Sequence, residues 1–158
     1  MIRRPPRSTL DRSSAASDVY KRQILIDTPP SLGIVSVNAL VASDGVVVPV
    51  QTEYFALEGL ALLSGTIREV RALLNPTLGV DGVLMTMHAP TTLNHQVASE
   101  LREAFPRLVV EPAIRRNIRL AEAPSHGIPI HLHQPNSAGG QDYRDVVSVL
   151  ERRWGLKR

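Results

Sequence analysis

The stretch ILIDTPPSLG, residues 24–33, decides how the rest of the chain is interpreted. It opens with three apolar residues, two of them β-branched, and this pattern predicts a strand buried on both faces. Pro29 and Pro30 end the strand, because proline has no N–H group for the hydrogen-bond ladder. Asp27 therefore follows the carboxyl end of a strand, where ligands bind in open α/β sheets. An acid at this place can hold Mg²⁺ beside phosphate oxygens, and an Asx turn that ends the strand is the alternative.

The composition is that of a globular domain. The 158 residues are 43% hydrophobic and 21% charged and include no cysteine, which excludes disulfides, zinc–thiolate sites and a cysteine nucleophile. Apolar runs fall short of a membrane span, and the N-terminus lacks the apolar core of a signal peptide. We therefore expect a cytoplasmic protein.

The net charge of +3 is unevenly distributed along the chain. Residues 1–23 carry six basic against two acidic side chains, a balance of +4, which leaves −1 for residues 24–158. A nucleic-acid site in the main part of the chain would therefore need a local basic cluster, since the overall charge there does not provide one.

Residues 1–23 are rich in Arg, Ser and Pro and have no helical or strand period, so we expect a disordered leader. The leader meets Ile24 without a turn or cap and resembles translated sequencing-adapter read-through, so we exclude it from the fold. A natural basic tail that binds nucleic acid non-specifically is the alternative.

Strands and helices alternate over residues 24–158. The apolar patterns predict strands at 24–26, 45–50, 80–87 and 108–110, and helices at 33–42, between 54 and 75, at 94–105 and at about 142–154. Residues 114–127 read as mostly irregular, with room for one helical turn, and 128–130 as extended. The pattern predicts an α/β fold, a three-layer sandwich around a mostly parallel sheet, formed by one domain.

The chain from Ile24 to about Trp154 resembles the C-terminal part of the ParA family, the chromosome and plasmid partition ATPases also called Soj. The family belongs to the deviant Walker A group of P-loop proteins, which includes MinD. Four stretches carry the resemblance: ILIDTPPSLG (24–33), PVQTEYFALEGL (49–60), GVLMTM (82–87) and RNIRLAEAPSHGIPI (116–130). The resemblance implies that residues 24–158 are the C-terminal half of a P-loop NTPase fold.

The resemblance also implies roles for single residues. It makes Asp27 the Walker B acid that holds Mg²⁺ through water, and it places Pro29, Arg116 and Asn117 at the nucleotide. It assigns a switch region at the dimer interface to Gln51, Glu53, Tyr54 and Glu58. It assigns non-specific DNA contacts to Arg116 and Arg119. For the full-length protein it implies ATP and Mg²⁺ as cofactors, a ParB-type partner protein, DNA, an ATP-bound homodimer, a nucleoid-associated location and no membrane.

The sequence departs from the family pattern in two ways. It contains no G-x-x-x-x-G-K-[ST] motif, which the resemblance places upstream of Ile24 together with the signature lysine and the acid that positions the attacking water. Arg115 also stands where the family pattern has proline. We therefore expect a fragment that binds no nucleotide and is inactive alone.

Several alternatives stay open at this point. The chain is part of a partition ATPase, a MinD-like positioning ATPase for cell division or cargo, or a non-catalytic interaction module. The cluster of Arg115, Arg116 and Arg119 contacts phosphate, or it is a solvated turn held by ion pairs. The apolar stripe of the last helix docks onto the sheet, or it binds a membrane surface. His131 and His133 form a surface pair, or they begin a metal site for which no third ligand is evident.

The first prediction concerns the leader. Limited proteolysis should trim the chain near Gln23 and leave a resistant product that begins close to Ile24, because a segment without apolar periodicity offers unprotected peptide bonds. Mass spectrometry of the products identifies the cleavage sites. Protection of residues 1–23 equal to that of the core would contradict this prediction.

Overall fold

The computed structural model describes residues 2–3, 23–29 and 31–156. Its strands are β1 (Ile2–Arg3), β2 (Ile24–Leu25), β3 (Gly45–Gln51), β4 (Gly79–Thr86) and β5 (Val109–Val110). Its α-helices are α1 (Ile34–Ala42), α2 (Ala56–Leu73), α3 (Thr92–Ala104), α4 (Ile118–Glu122), α5 (Ile130–His133) and α6 (Ala138–Arg153), with a 3₁₀ turn at Ala123–His126. The expectation of a disordered leader falls mostly outside the described residues and stays a prediction. Of residues 1–23, the structure describes Ile2 and Arg3, in β1, and Gln23, directly before β2.

The strands follow the order β2-β1-β3-β4-β5 in the sheet. β4 and β5 are parallel, with Val83 opposite Val109 and Leu84 opposite Val110. The two-residue β1 is antiparallel to both β2 and β3. Helices connect and flank the strands, so the predicted α/β class with a mostly parallel sheet is confirmed.

Two compact units make up the chain: residues 1–47 with 62–80, and residues 48–61 with 81–158. In the first unit, the amide of Asn75 lies 3.2 Å from the carbonyl oxygens of Leu40 and Val41 and 2.8 Å from that of Ser43. These bonds join the end of α2 to the end of α1. The apolar core beside them contains Leu40, Val46, Ile67, Val70 and Leu78.

Two details of the first unit differ from the sequence predictions. The strand at 24–26 is not buried on both faces: Ile24 is 40% exposed and Leu25 72% exposed. Among the described strands, β2 stands last in the strand order. The apolar spacing predicts a helix face formed by Ile34, Val37 and Val41. In the structure Ile34 is 77% exposed, whereas Ser36 is buried. The hydroxyl of Ser36 turns inward to bond carbonyl groups of the preceding turn.

In the second unit, α6 docks through its buried side chains Val146 and Leu150 and through polar contacts at its C-terminus. The Arg153 guanidinium donates to the carbonyl oxygens of Asp81 at 2.7 Å, Leu108 at 3.0 Å and Val109 at 2.9 Å. These contacts support docking of the last helix. Its apolar spacing predicts an inner stripe of Tyr143, Val146, Val147, Leu150 and Trp154, of which Tyr143 and Val147 are partly exposed.

Gly82 of β4 lies close to both β5 and the last helix. A Cβ atom on Gly82 would come within 2.5 Å of the Val110 side chain and 3.2 Å of the Arg153 guanidinium.

Among the described residues, no helix has the length and apolarity needed to cross a membrane.

The ends of two predicted elements shift in the structure. The last helix begins at Ala138, four residues before the predicted start, because Ser137 caps it by accepting a 3.1 Å bond from Gly140 N–H. Residue Ile130 belongs to the short helix α5 and not to an extended segment. Residues 118–126, predicted as mostly irregular, form α4 and the 3₁₀ turn.

An ion pair with a buried acid joins the residues before α4 to α6. The side chain of Asp142 is 6% exposed, and its carboxylate accepts bonds from the Arg115 backbone N–H at 3.0 Å, from Nε at 2.9 Å and from Nη2 at 2.7 Å. Burial alone would raise the pKa of Asp142, but the hydrogen bonds and charge of Arg115 outweigh it and hold the pKa below its ordinary value. The same bonds raise the pKa of Arg115.

The second prediction concerns stability against acid. A carboxyl group with a lowered folded-state pKa stabilises the fold above its unfolded pKa of about 3.9, and this stability is lost as the pH falls through the lower, folded value. Urea unfolding of Asp142→Asn should show a loss of about 1–2 kcal/mol at pH 7, a modest figure because the Arg115 guanidinium is half exposed. The loss should shrink below about pH 4.

The matched control is Asp145→Asn, which removes an exposed carboxylate from the same helix and should change the free energy of unfolding little. If the stability curves of wild type and Asp142→Asn run parallel from pH 7 to pH 3, the ion pair does not stabilise the fold.

Candidate functional site

The predicted switch region lies in the second unit, where β3 ends and α2 begins. We call residues 51–58 the switch segment. The Glu53 N–H donates to the Gln51 carbonyl at 2.9 Å and the Ala56 N–H donates to the Glu53 carbonyl at 3.0 Å, so the chain turns sharply into the helix. Gln51, Glu53 and Tyr54 are exposed, whereas Thr52 between them is fully buried. Glu58 is exposed in the first turn of α2, where an acid is favourable to the helix dipole.

Thr52 is the buried anchor of the switch segment. Its hydroxyl donates to Asn94 Oδ1 at 2.8 Å and lies 3.2 Å from His88 Nδ1. Asn94 Oδ1 also accepts a bond from the Ala89 N–H at 2.8 Å. Because the one hydroxyl proton goes to Asn94, the Thr52 oxygen is left to accept the Nδ1 proton of His88. The switch segment is thereby tied to the loop after β4.

The charge state of His88 agrees with this network. Burial is the largest cause that lowers the pKa of His88, and the charges of His95 and Arg102 lower it further, while Glu111 opposes them. The imidazole is therefore neutral at neutral pH and can carry its proton on Nδ1 toward Thr52.

The backbone of His88 then reaches the segment that precedes α4. The His88 N–H donates to the Ile114 carbonyl at 3.0 Å, and the Arg116 N–H donates to the His88 carbonyl at 2.9 Å. Residues 114–116 thus pair with the end of β4 as an additional parallel bridge. The loop needs a left-handed residue to make this turn, and Met87 adopts it with φ of 50°.

This arrangement brings two of the predicted regions together. Arg116 Nη2 lies 3.9 Å from Glu53 Oε1, and both side chains are about two-thirds exposed. Asn117, the neighbour of Arg116, caps α4 by accepting a 2.9 Å bond from the Arg119 N–H. Residues predicted for the switch and for the nucleotide are therefore neighbours within one compact unit.

Carboxylates accompany all three arginines of the predicted basic cluster. Arg115 is bound to Asp142, Arg119 Nη1 lies 2.7 Å from Glu122 Oε2, and Arg116 approaches Glu53. The hydrogen bond from Arg119 is the largest cause that lowers the pKa of Glu122. For Arg115 and Arg116 the neighbouring acids are distant in sequence, whereas Glu122 lies three residues after Arg119, and Arg116 has the longest of the three ion-pair distances.

An open cleft of about 640 Å³ adjoins the switch segment. Its walls are formed by Pro49, Val50, Gln51, Glu53, Tyr54, Phe55, Ala56, Gly59, Leu60, Leu93 and Asn94. The rings of Tyr54 and Phe55 meet edge to face at 5.1 Å, and both are more than 70% exposed. The cleft is thus mostly apolar, with one carboxylate and two exposed aromatic rings at its border.

The predicted Mg²⁺ ligand and its neighbour lie in the first unit. Asp27 is exposed just after β2, and the turn that follows is fixed by the hydroxyl of Ser36, which lies 3.3 Å from the Pro29 carbonyl oxygen and 2.5 Å from that of Ser31. Within the described part of the chain, no group of three or more His, Cys, Asp or Glu residues could hold a metal ion. In P-loop proteins a phosphate-binding loop holds the nucleotide together with the Mg²⁺ ligand, and the sequence contains no such motif.

Comparison with known sequences adds the family. Residues 11–80 match a family described as an AAA domain. The chain is 52% identical over 128 residues to the sporulation initiation inhibitor protein Soj of Bacillus subtilis. The matched region covers 80% of this chain and 51% of that protein. It is 52% identical over 131 residues to the chromosome-partitioning ATPase Soj of Thermus thermophilus, with 82% and 53% covered.

Solved structures agree on the fold. Cobyrinic acid a,c-diamide synthase from Mycobacterium smegmatis, with a bound ATP analogue and magnesium, superposes with a TM-score of 0.69 at 30% identity and covers 93% of this chain and 53% of that one. The septum site-determining protein MinD from Pyrococcus horikoshii, in complex with Mg-ADP, gives a TM-score of 0.70 at 16% identity, with 90% and 56% covered, and shows the fold alone.

The chain spans about half the length of the curated relatives it matches. With about 50% identity along that half and with the α/β fold of P-loop NTPases, it belongs to the ParA/Soj family of partitioning ATPases.

Proposed function

We propose that this chain is the C-terminal part of a ParA-family ATPase that segregates chromosomes or plasmids by ATP-dependent dimerisation and non-specific DNA binding. The observation that carries the proposal is the approach of Glu53 to Arg116 at 3.9 Å. It joins the switch segment to the stretch that the resemblance places at the nucleotide and at DNA. A hydrogen bond between Thr52 and His88 and one from the Arg116 N–H to the His88 carbonyl also connect the two regions.

In the proposed nucleotide site, some contacts would come from this chain and the others from a P-loop. Mg²⁺, when bound with ATP, would supply charge stabilisation at the phosphates. Asp27 would accept hydrogen bonds from water molecules on the ion, and Pro29, Arg116 and Asn117 would line the nucleotide. The phosphate cradle itself would come from residues that precede this part of the fold in the relatives, since the sequence has no such motif.

The DNA side of the proposal rests on Arg116 and Arg119. Their partners Glu53 and Glu122 are partly or largely exposed, and exposed ion pairs are screened by solvent and contribute little to stability. A phosphate group could therefore replace either carboxylate at low cost, and the release of counterions from DNA would favour the exchange. Such contacts are independent of base sequence.

The switch segment is proposed as the contact surface for proteins. Tyr54 and Phe55 present exposed aromatic rings beside an apolar cleft, and Gln51, Glu53 and Glu58 add polar groups around them. Aromatic side chains of this kind are enriched at interfaces. We assign this surface to a second copy of the ATP-bound protein and to a ParB-type partner, for a protein that works at the nucleoid in the cytoplasm and not at a membrane.

Two other functions are alternatives to this proposal. A MinD-like ATPase would share the fold and the Walker B acid but position a different cargo. A non-catalytic interaction module would use the aromatic surface without nucleotide, and the absence of a phosphate-binding loop from the sequence favours it for this chain taken alone.

The third prediction addresses nucleotide binding. Calorimetric titration of this chain with ATP and Mg²⁺ should give no binding tighter than about 1 mM, because backbone N–H groups and a lysine that hold the phosphates in P-loop proteins are missing. In a protein that also carries a P-loop segment ahead of Ile24, hydrolysis should appear and Asp27→Ala should abolish it.

Asp145→Ala, which removes an exposed carboxylate from α6, is the control and should keep the hydrolysis rate. Micromolar ATP binding by the 158-residue chain, or near-normal turnover of Asp27→Ala, would show that the nucleotide site is built differently.

The fourth prediction addresses DNA. Replacing Arg116 and Arg119 with alanine should weaken binding of duplex DNA to a similar extent for every sequence tested. The plot of log K against log salt should also become shallower, with the magnitude of its negative slope reduced by roughly one for each lost phosphate contact. Arg68→Ala with Arg71→Ala removes the same charge from the exposed side of α2 and is the matched control.

All variants share the six basic residues of positions 1–23, so this background cancels when slopes are compared. Equal slopes for the Arg116/Arg119 and Arg68/Arg71 variants would mean that the effect is one of net charge and that the contact surface lies elsewhere.

A further inference from the structure

Arg115 and Arg116 are adjacent in sequence but face different parts of the second unit. Arg115 directs its guanidinium to α6, where it meets Asp142 and lies 3.4 Å from the Ala138 carbonyl oxygen. Arg116 directs its guanidinium to Glu53 of the switch segment. Neighbouring side chains of an extended segment point to opposite sides, so fixing one of them also fixes the direction of the other.

Asp142 is suited to fix this direction because it holds both the backbone and the side chain of Arg115. Oδ2 accepts from the Arg115 N–H at 3.0 Å and from Nε at 2.9 Å, while Oδ1 accepts from Nη2 at 2.7 Å. Its side chain is 6% exposed, whereas the Arg115 side chain is 53% exposed. A released Arg115 would therefore need little rearrangement to reach solvent.

We propose that Asp142 is a positioning residue that decides which of two adjacent arginines is available to phosphate. It holds Arg115 on α6, withdraws that cation from the basic cluster, and so presents Arg116 beside the switch segment. The inference rests on the proposed DNA-binding function. It gives Arg115 a structural role and Arg116 a phosphate-binding role, although the sequence alone does not distinguish the two residues.

Asp142 also sets the charge of the surface. With the carboxylate in place, the positive charge of Arg115 is compensated by a buried acid at hydrogen-bond distance. Without it, the cluster gains one uncompensated cation close to Arg116. Removal of the acid should therefore strengthen phosphate binding, which is the opposite of what loss of a merely structural residue would do.

The test compares four 158-residue chains: wild type, Asp142→Ala, Arg115→Ala and the double variant. Binding to one duplex DNA of mixed sequence is measured from low to high salt. We expect the slope of log K against log salt to become steeper by about one in Asp142→Ala, because one more cation reaches phosphate. Arg115→Ala and the double variant should keep the wild-type slope.

Asp142→Asn, which keeps the size of the side chain, is measured in parallel in case Asp142→Ala fails to fold, and it should also steepen the slope. Asp145→Ala removes an exposed acid of the same helix and controls for a general charge effect. An unchanged or shallower slope in both folded Asp142 variants, a shallower slope in Arg115→Ala, or an equal gain in Asp145→Ala overturns the inference.

Hydrogen exchange separates this inference from the proposed function. The Arg116 amide is bonded to the His88 carbonyl next to the ion pair, and the Val83 amide is bonded to the Leu108 carbonyl in the sheet. In the Asp142 variants, faster exchange than in wild type at Arg115 and Arg116, with unchanged exchange at Val83, supports the positioning role of Asp142. If this result is obtained but neither wild type nor the variants bind DNA, only the proposed DNA-binding function is contradicted. Unchanged exchange at Arg115 and Arg116 overturns the positioning role.

Discussion

The buried hydroxyl of Thr52 is the constraint on which the site depends. A hydroxyl with no access to water must find partners inside the protein, because an unpaired one costs about 1–3 kcal/mol. Thr52 finds them in Asn94, at the start of α3, and in His88, after β4. Two segments that are distant in sequence are thereby held against the switch segment, and the His88 backbone carries the connection on to Arg116.

The exposed neighbours of Thr52 are accessible for binding because the buried Thr52 side chain anchors the segment. Gln51, Glu53 and Tyr54 flank Thr52 and face solvent. A segment anchored at one buried residue can change the contacts of its neighbours without losing its place in the fold. This separation of anchor and contact residues is what a region that responds to a ligand requires.

Much of the fold could be predicted from the sequence, because apolar runs of strand length and 3.6-residue stripes of helix length are strong local signals. The same signals misplaced the inner face of α1, where Ser36 turns inward to satisfy carbonyl groups, and the start of α6, where Gly139 and Gly140 hide the helical period. The Thr52 network could not be predicted, since its members lie 36 and 42 residues apart and no periodicity links them. Thr52 itself had a weak signal, as a polar residue directly after a buried strand.

The Arg153 contacts have a consequence for how the sheet ends. β5 stands last in the strand order, and edge strands offer unpaired backbone groups to other polypeptides. At Val109 both groups are already used, since the N–H donates to the Phe105 carbonyl at 3.1 Å and the carbonyl accepts from Arg153 at 2.9 Å. A strand from another molecule would meet a side-chain cation there in place of an open acceptor. The C-terminal helix thus protects this edge from aggregation, and substitutions at Arg153 would expose it to strand addition.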